Sequence, residues 1–176
     1  MIISYERKYL FIEVPKTATT SISRAIRESD PTARDTLIMN DGSDLVIRNT
    51  HVTANEMRCL LGERYDEFYV FAVRRCEEHR KQSLYRFYRY GRARGVMFKQ
   101  RFKLRRSVNV VLANLLPYMV WSRVRSQLPC DHYLNDDHGN CLVDDVGDYE
   151  DLGSWWTEVR EKIGLRDVEL PHDNRT

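Results

Sequence analysis

The stretch that decides the fold is residues 9–22, YLFIEVPKTATTSI. Its opening run, 9–14, is apolar and aromatic and reads as a buried strand. A proline turn follows, Pro15, with Lys16 at its head and Thr17, Ala18, Thr19, Thr20 and Ser21 behind it. The chain then enters a helix predicted over 20–28, ending near Asp30-Pro31. A strand, a tight turn and a helix N-terminus together make an anion site. The first backbone N–H groups of a helix have no intrahelical partner, and the macrodipole places partial positive charge there. Lys16 adds a full charge, and the hydroxyls add donors. A nucleotide P-loop needs GxxxxGK[ST], and this loop holds no glycine. The expected ligand is therefore a phosphate or sulfate ester, not ATP held in the ordinary way.

Outward from this stretch, strands and helices alternate. A short strand is predicted at 45–47, after a turn at Asn40-Asp41-Gly42. Thr53 reads as the N-cap of a helix over 54–62, with Glu56 completing a capping box and Gly62 closing the helix. Residues 68–73 form a continuous apolar run, suited to a strand buried on both faces. A helix over 76–90 follows, then a basic, glycine-punctuated loop over 91–106 that is expected to be mobile. A helix over 107–126 is predicted to bend or break at Pro117. A short strand at 141–143 and a helix over 151–163 complete the pattern. This alternation predicts an α/β fold: one domain over 1–176 in three layers, a mostly parallel sheet flanked by helices.

Composition bounds the function classes. The 176 residues are 42% hydrophobic and 31% charged, with a net charge of +2, ordinary for a globular protein. No apolar run reaches the length of a membrane span, and no basic region leads into an apolar core at the N-terminus, so a cytoplasmic protein is expected. Cys59, Cys76, Cys130 and Cys141 show no CxxC spacing and read as reduced thiols. His79, His132, His138 and His172 are scattered without metal-ligand spacing, and no metal is required.

A second cluster follows the second strong strand. In AVRRCEEHRKQSLYRFYR, Arg75 stands at the strand end and Ser83 on the next helix. Ligands of open parallel sheets bind beyond the carboxyl ends of the strands, so Arg75 and the first loop would converge on one ligand. A guanidinium fork suits a phosphate, although a solvated basic helix end is the plainer reading of any single arginine. His51 leads NTHVTANEMRCLLGERYDEF; histidine is the usual general base, with an unperturbed pKa of about 6.5, although a lone histidine before a helix is more often structural. Glu13, beside the loop, is the next candidate base.

PKTATTSI resembles the 5′-phosphosulfate loop of sulfotransferases that use 3′-phosphoadenosine-5′-phosphosulfate (PAPS). Carbohydrate-type members carry loops like PKTAGTS and cytosolic members loops like PKSGTTW. Thr19 stands where the first type has glycine. The Arg75 segment is similar to the family's 3′-phosphate motif, which reads like RNPWDRLVSAY. This chain keeps Arg75, Arg80, Ser83 and Tyr85 and departs at Cys76 and Glu77. The His51 segment resembles HxTAxEIRxLLG. HYLNDDHGNCLVDDVGDYEDL and LPHDNRT resemble FLCDEDGNILVDFIGRFENL and LPHLNKS, with Asp148 in place of a frequent arginine.

The resemblance implies a P-loop-NTPase-like sulfotransferase architecture and transfer of a sulfuryl group from PAPS to an acceptor hydroxyl on a carbohydrate. It implies that Pro15, Lys16, Thr17, Ala18, Thr19, Thr20 and Ser21 hold the 5′-phosphosulfate. Arg75 and Ser83 would hold the 3′-phosphate, with Lys16 and His51 catalytic. The stretch 86–106 holds Arg86, Arg89, Arg92, Arg94, Lys99, Arg101, Lys103, Arg105 and Arg106, no acid, and interleaved Tyr88, Tyr90, Phe98 and Phe102. Such a segment would line a groove for an anionic glycan, or be a solvated helix face and loop. No nucleic-acid-binding module is recognisable, so nucleic acid is not expected as the partner. Two alternatives remain from other classes: a protein that binds PAPS or its product without turnover, and, more remotely, a P-loop kinase.

Overall fold

The computed structural model describes residues 1–39, 42–47, 51–90, 104–125, 127–166 and 168–171. Its strands are β1 (Ile2–Ser4), β2 (Tyr9–Ile12), β3 (Thr36–Ile38), β4 (Asp44–Val46), β5 (Tyr69–Arg74) and β6 (Asp145–Asp148). The first three of its helices are α1 (Thr19–Ser29), α2 (Ala54–Leu61) and α3 (Glu77–Tyr90). Among the described residues, the remaining α-helices are Leu104–Leu115, Tyr118–Val124, Asp131–Leu134 and Leu152–Lys162. The chain divides into two compact units, Met1–Arg75 with Pro129–Arg175, and Cys76–Leu128.

The first unit is built on a four-stranded sheet of order β1-β2-β5-β6. β2, β5 and β6 run parallel, and β1 is an antiparallel edge, so the sheet is mixed but mostly parallel. Side-chain parity explains why the apolar runs were continuous. Tyr9, Phe11, Phe71 and Val73 pack on one face with Ile22 and Ile26 of α1 and with Trp155, Trp156 and Val159. Leu10, Ile12, Val70 and Ala72 pack on the other with Met57 and Leu61 of α2 and with Tyr133 and Leu134. Both faces of the central strands are covered, as parallel sheets require. The three layers thus come from one alternation repeated in β2 and β5. Tyr9 also donates to Asp30 just beyond α1, at 2.6 Å, tying that helix end to the sheet.

The helix ends follow local chemistry. Thr53 caps α2: its hydroxyl accepts from the Glu56 amide at 3.0 Å, and the Glu56 carboxylate accepts from the Thr53 amide at 2.8 Å. The short strand expected at 45–47 is β4, paired with β3 as a separate two-stranded sheet.

The strand expected at 141–143 is a correction. Cys141 forms only an isolated bridge with Asn135, and the strand that joins the sheet is β6. Its sequence, DVGD, has poor strand propensity, but distant partners satisfy its carboxylates. Asp145 accepts from Tyr69 Oη, Trp155 Nε1 and Lys162 Nζ, each at 2.7 Å. Gly147 is needed where Trp155 crosses, since a Cβ there would lie 2.3 Å from the indole.

In the second unit, the helix expected over 107–126 is two helices, Leu104–Leu115 and Tyr118–Val124. Pro117 is the N-cap of the second, having no N–H to continue the first. Residues 91–103 of the predicted loop lie outside the described residues, as do 172–176 of LPHDNRT. Residues 104–106, read as the end of that loop, are the first turn of a helix. Leu and Arg are good helix formers, so the basic run continues into it. The unit's small core is Tyr85, Ala113 and Trp121.

Candidate functional site

Because β2, β5 and β6 are parallel, their carboxyl ends open on one edge of the sheet. The loop from Glu13 to Ala18 leaves β2 there, Arg75 follows β5, and Tyr149 follows β6. The edge is where open parallel sheets bind ligands.

The loop is held in an unusual conformation. Lys16 and Ala18 both have positive φ, 69° and 63°. A left-handed backbone costs a residue with a Cβ about 1–2 kcal/mol, so two within three positions must be imposed by the surroundings. One restraint is Thr17, fully buried, whose hydroxyl donates to the Val14 carbonyl at 2.8 Å. Its side chain therefore braces the loop and leaves only the backbone to meet a ligand. Ala18 is the N-cap of α1 and offers no side-chain cap; its carbonyl takes the Ser21 and Ile22 amides at 3.0 and 3.2 Å. No acid stands in the first turn. The helix dipole there faces ligand space uncapped, with Thr19 half-buried, Thr20 exposed and Ser21 buried around it. Thr19 is the first helical residue and is not among those with positive φ, so threonine in place of glycine is unstrained.

Lys16 is half-buried, beside half-buried Pro15. Burial first, and then the Arg75 charge, hold the Lys16 ammonium below the ordinary lysine range. Two cations from neighbouring strand ends therefore stand close enough to feel each other. Arg75 sits over the Tyr149 ring, its Cζ 3.7 Å from the ring centroid. Its Nε is buried with no hydrogen-bond partner, an orphaned donor of the kind a bound oxyanion satisfies. Its neighbour Arg74 is differently employed: exposed, it pairs with Asp148 through Nε at 2.7 Å and Nη2 at 3.4 Å. Asp148 thus has a partner on the adjacent strand.

His51 Nδ1 lies 2.8 Å from the Glu13 carbonyl. A carbonyl only accepts, so Nδ1 carries the proton and the neutral ring keeps its lone pair on Nε2, the form a general base needs. Glu13 itself is 6% exposed. One of its oxygens takes the Met1 ammonium at 2.6 Å and the other takes the Ser23 hydroxyl. Both are engaged in the core, which makes Glu13 the weaker candidate base.

The structure brings Lys16, Arg75 and His51 together around the ends of β2 and β5. Ser83 is half-buried on α3, in the helical unit. Sequence reasoning missed Tyr149. Its signal was an aromatic immediately after a strand of the parallel sheet, hidden by placing that strand at 141–143. A cavity of about 270 Å³ lies at the opposite, amino-terminal ends of β5 and β6, lined among others by Phe68, Val70, Leu142 and Asp144, and contains none of the candidate residues. Among the described residues no cluster of His, Cys, Asp and Glu could hold a metal. The sequence matches no family model, and comparison with curated proteins and with solved structures found no match.

Proposed function

We propose that the chain is a sulfotransferase that moves the sulfuryl group of PAPS to an acceptor hydroxyl, on a carbohydrate of anionic character. The observation that carries this reading is the pairing of Lys16 and Arg75 at the ends of two parallel strands, with Arg75 Nε buried and unsatisfied. Two half-buried cations held near each other against their mutual repulsion favour an anion.

On this reading the amides at the start of α1, with Thr19, Thr20 and Ser21, grip the 5′-phosphosulfate. Arg75, held over the Tyr149 ring, grips the 3′-phosphate. PAPS supplies an activated sulfuryl group bonded through oxygen to phosphate. His51 Nε2 takes the proton of the acceptor hydroxyl as the oxygen–sulfur bond forms. Lys16 stabilises the negative charge left on the departing phosphate oxygen, the electrostatic role that dominates such transfers.

Calorimetric titration with ATP, 3′,5′-adenosine bisphosphate (PAP) and PAPS, followed by a sulfate-transfer assay, tests this. PAPS and PAP binding with turnover is the expected result. PAP binding without turnover on any hydroxyl acceptor points to a nucleotide-binding protein, and a preference for ATP to a kinase.

A further inference from the structure

The helical unit differs from the rest of the chain in charge and surface. Residues 76–128 carry thirteen Lys and Arg against two acids, Glu77 and Glu78, while the remainder carries fifteen against twenty-four. No acid stands between Glu78 and Asp131. Within this basic span lies a stretch without any charge, SVNVVLANLLPYMVWS over 107–122. Arg105 and Arg106 precede it, and Arg123 and Arg125 follow it.

The two helices of this stretch each have a buried and an open face. Asn109, Val110 and Ala113 are buried on Leu104–Leu115, and Trp121 on Tyr118–Val124. Ala113 and Trp121 meet in one core with Tyr85, so the other faces point away from it. Those faces are aliphatic. Val108, Val111 and Leu115 recur at helical spacing, with Leu115 73% exposed; Met119 and Val124 are 69% and 62% exposed. Single exposed aliphatics are ordinary. A succession of them from Val108 to Val120, with no charge of either sign among them, marks an interaction surface.

We propose that this face docks on an anionic lipid bilayer, lying in the headgroup boundary. Exposed aliphatics next to exposed Arg123 and half-buried Arg125, in a span without acids, fit that boundary: the side chains enter the acyl edge and the cations meet acidic headgroups. Among the described residues no helix is long and apolar enough to cross the membrane, so the contact is with the surface. A polyanion would use the cations but gains nothing from bare Leu115 and Met119. A second copy would bring two strongly cationic units together. The proposal is independent of the transfer reaction.

Flotation of the full chain with vesicles tests it. Phosphatidylcholine–phosphatidylserine vesicles should carry the protein up, phosphatidylcholine alone should not, and added salt should weaken the association. Leu115→Ser/Met119→Ser keeps every charge and touches no buried residue. It should lower vesicle affinity at least tenfold with an unchanged melting temperature. Arg123→Ser/Arg125→Ser should weaken binding to the acidic vesicles and reduce its salt dependence. Equal vesicle binding by the Leu115/Met119 variant overturns the proposal in favour of charge alone. So does binding to heparin or RNA with none to vesicles, or a stable dimer that vesicles do not recruit.

Discussion

The sheet unit and the helical unit use their apolar residues in opposite ways. The sheet unit buries them in two cores, one on each face of β2 and β5, and the strand ends so fixed carry Lys16, Arg75 and Tyr149. The helical unit encloses Tyr85, Ala113 and Trp121 and leaves Leu115, Met119 and Val124 open. On the functions proposed above, the difference separates two tasks. Orienting cations to within an ångström needs strands clamped from both sides. A contact surface needs only a scaffold, and a thinly enclosed scaffold opens first in local unfolding. Substitutions in the first region should therefore cost chemistry, and in the second stability or docking.

The largest expected effect is at His51. His51→Ala should lower kcat by about a hundred- to ten-thousandfold, the usual loss on removing a general base. PAP affinity, read by calorimetry, should hold, because the ring is tied to the Glu13 carbonyl and serves the acceptor. A structural histidine would instead lower the melting temperature and lose nucleotide binding along with activity.

Trp121 tests the other side of the comparison. It is 1% exposed at the centre of the helical core, and Trp121→Ala should cost about 3–5 kcal/mol by cavity formation. Hydrogen exchange should then show protection lost in α3 and Leu104–Leu115 but retained in β2 and β5. Uniform loss across both units would mean that they unfold as one. Trp121→Phe should cost less, since the indole N–H has no hydrogen-bond partner to lose.

Lys16→Ala should lower transfer about a hundred- to a thousandfold, the loss typical of removing a preorganised donor to a developing anion. The fold should stay intact, because the left-handed backbone at that position is no worse for alanine than for lysine. The pH dependence has two signs. Burial and Arg75 lower the Lys16 pKa in the folded protein, so the unfolded chain holds that proton more tightly. The Lys16 contribution to stability therefore rises with pH between the lowered value and the ordinary lysine range. Anion affinity falls across the same window as the ammonium is lost. Calorimetric PAP titration and urea midpoints at stepped alkaline pH, compared with Lys16→Ala, read both.

Legibility follows the same division. The sheet unit's early elements were readable because their signals are local: continuous apolar runs for β2 and β5, and the Thr53–Glu56 capping box for α2. β6 was not, because Asp145 is made tolerable by Tyr69, Trp155 and Lys162, none adjacent in sequence. Missing β6 hid Tyr149, and with it the stacking that orients Arg75. At the candidate site, the placement of Lys16 and Arg75 beyond the ends of β2 and β5 was legible from the strand assignments. The strained backbone of Lys16 and Ala18 was not, because neither is a glycine. The helical unit yielded its break at Pro117 but not its exposed face, since helical periodicity alone does not tell a buried stripe from an open one.

The finest test sets two adjacent arginines against each other. Arg75→Ala should weaken PAP by about 1.5–3 kcal/mol, the contribution of a hydrogen bond to a charged group. It should leave 5′-AMP, which lacks the 3′-phosphate, nearly unchanged. Part of the PAP loss belongs to Tyr149, because a guanidinium released from the ring is less well aimed. Tyr149→Leu should therefore reproduce a fraction of it. Arg74→Ala breaks only an exposed pair with Asp148, and such pairs contribute under about 1 kcal/mol. Its effect on both nucleotides should be within error, and salt should erase its small effect on stability. If Arg74→Ala discriminates between PAP and 5′-AMP while Arg75→Ala does not, the 3′-phosphate lies on the Asp148 side of the strand end. The stacked guanidinium of Arg75 would then be a strut for the sheet edge and not a ligand.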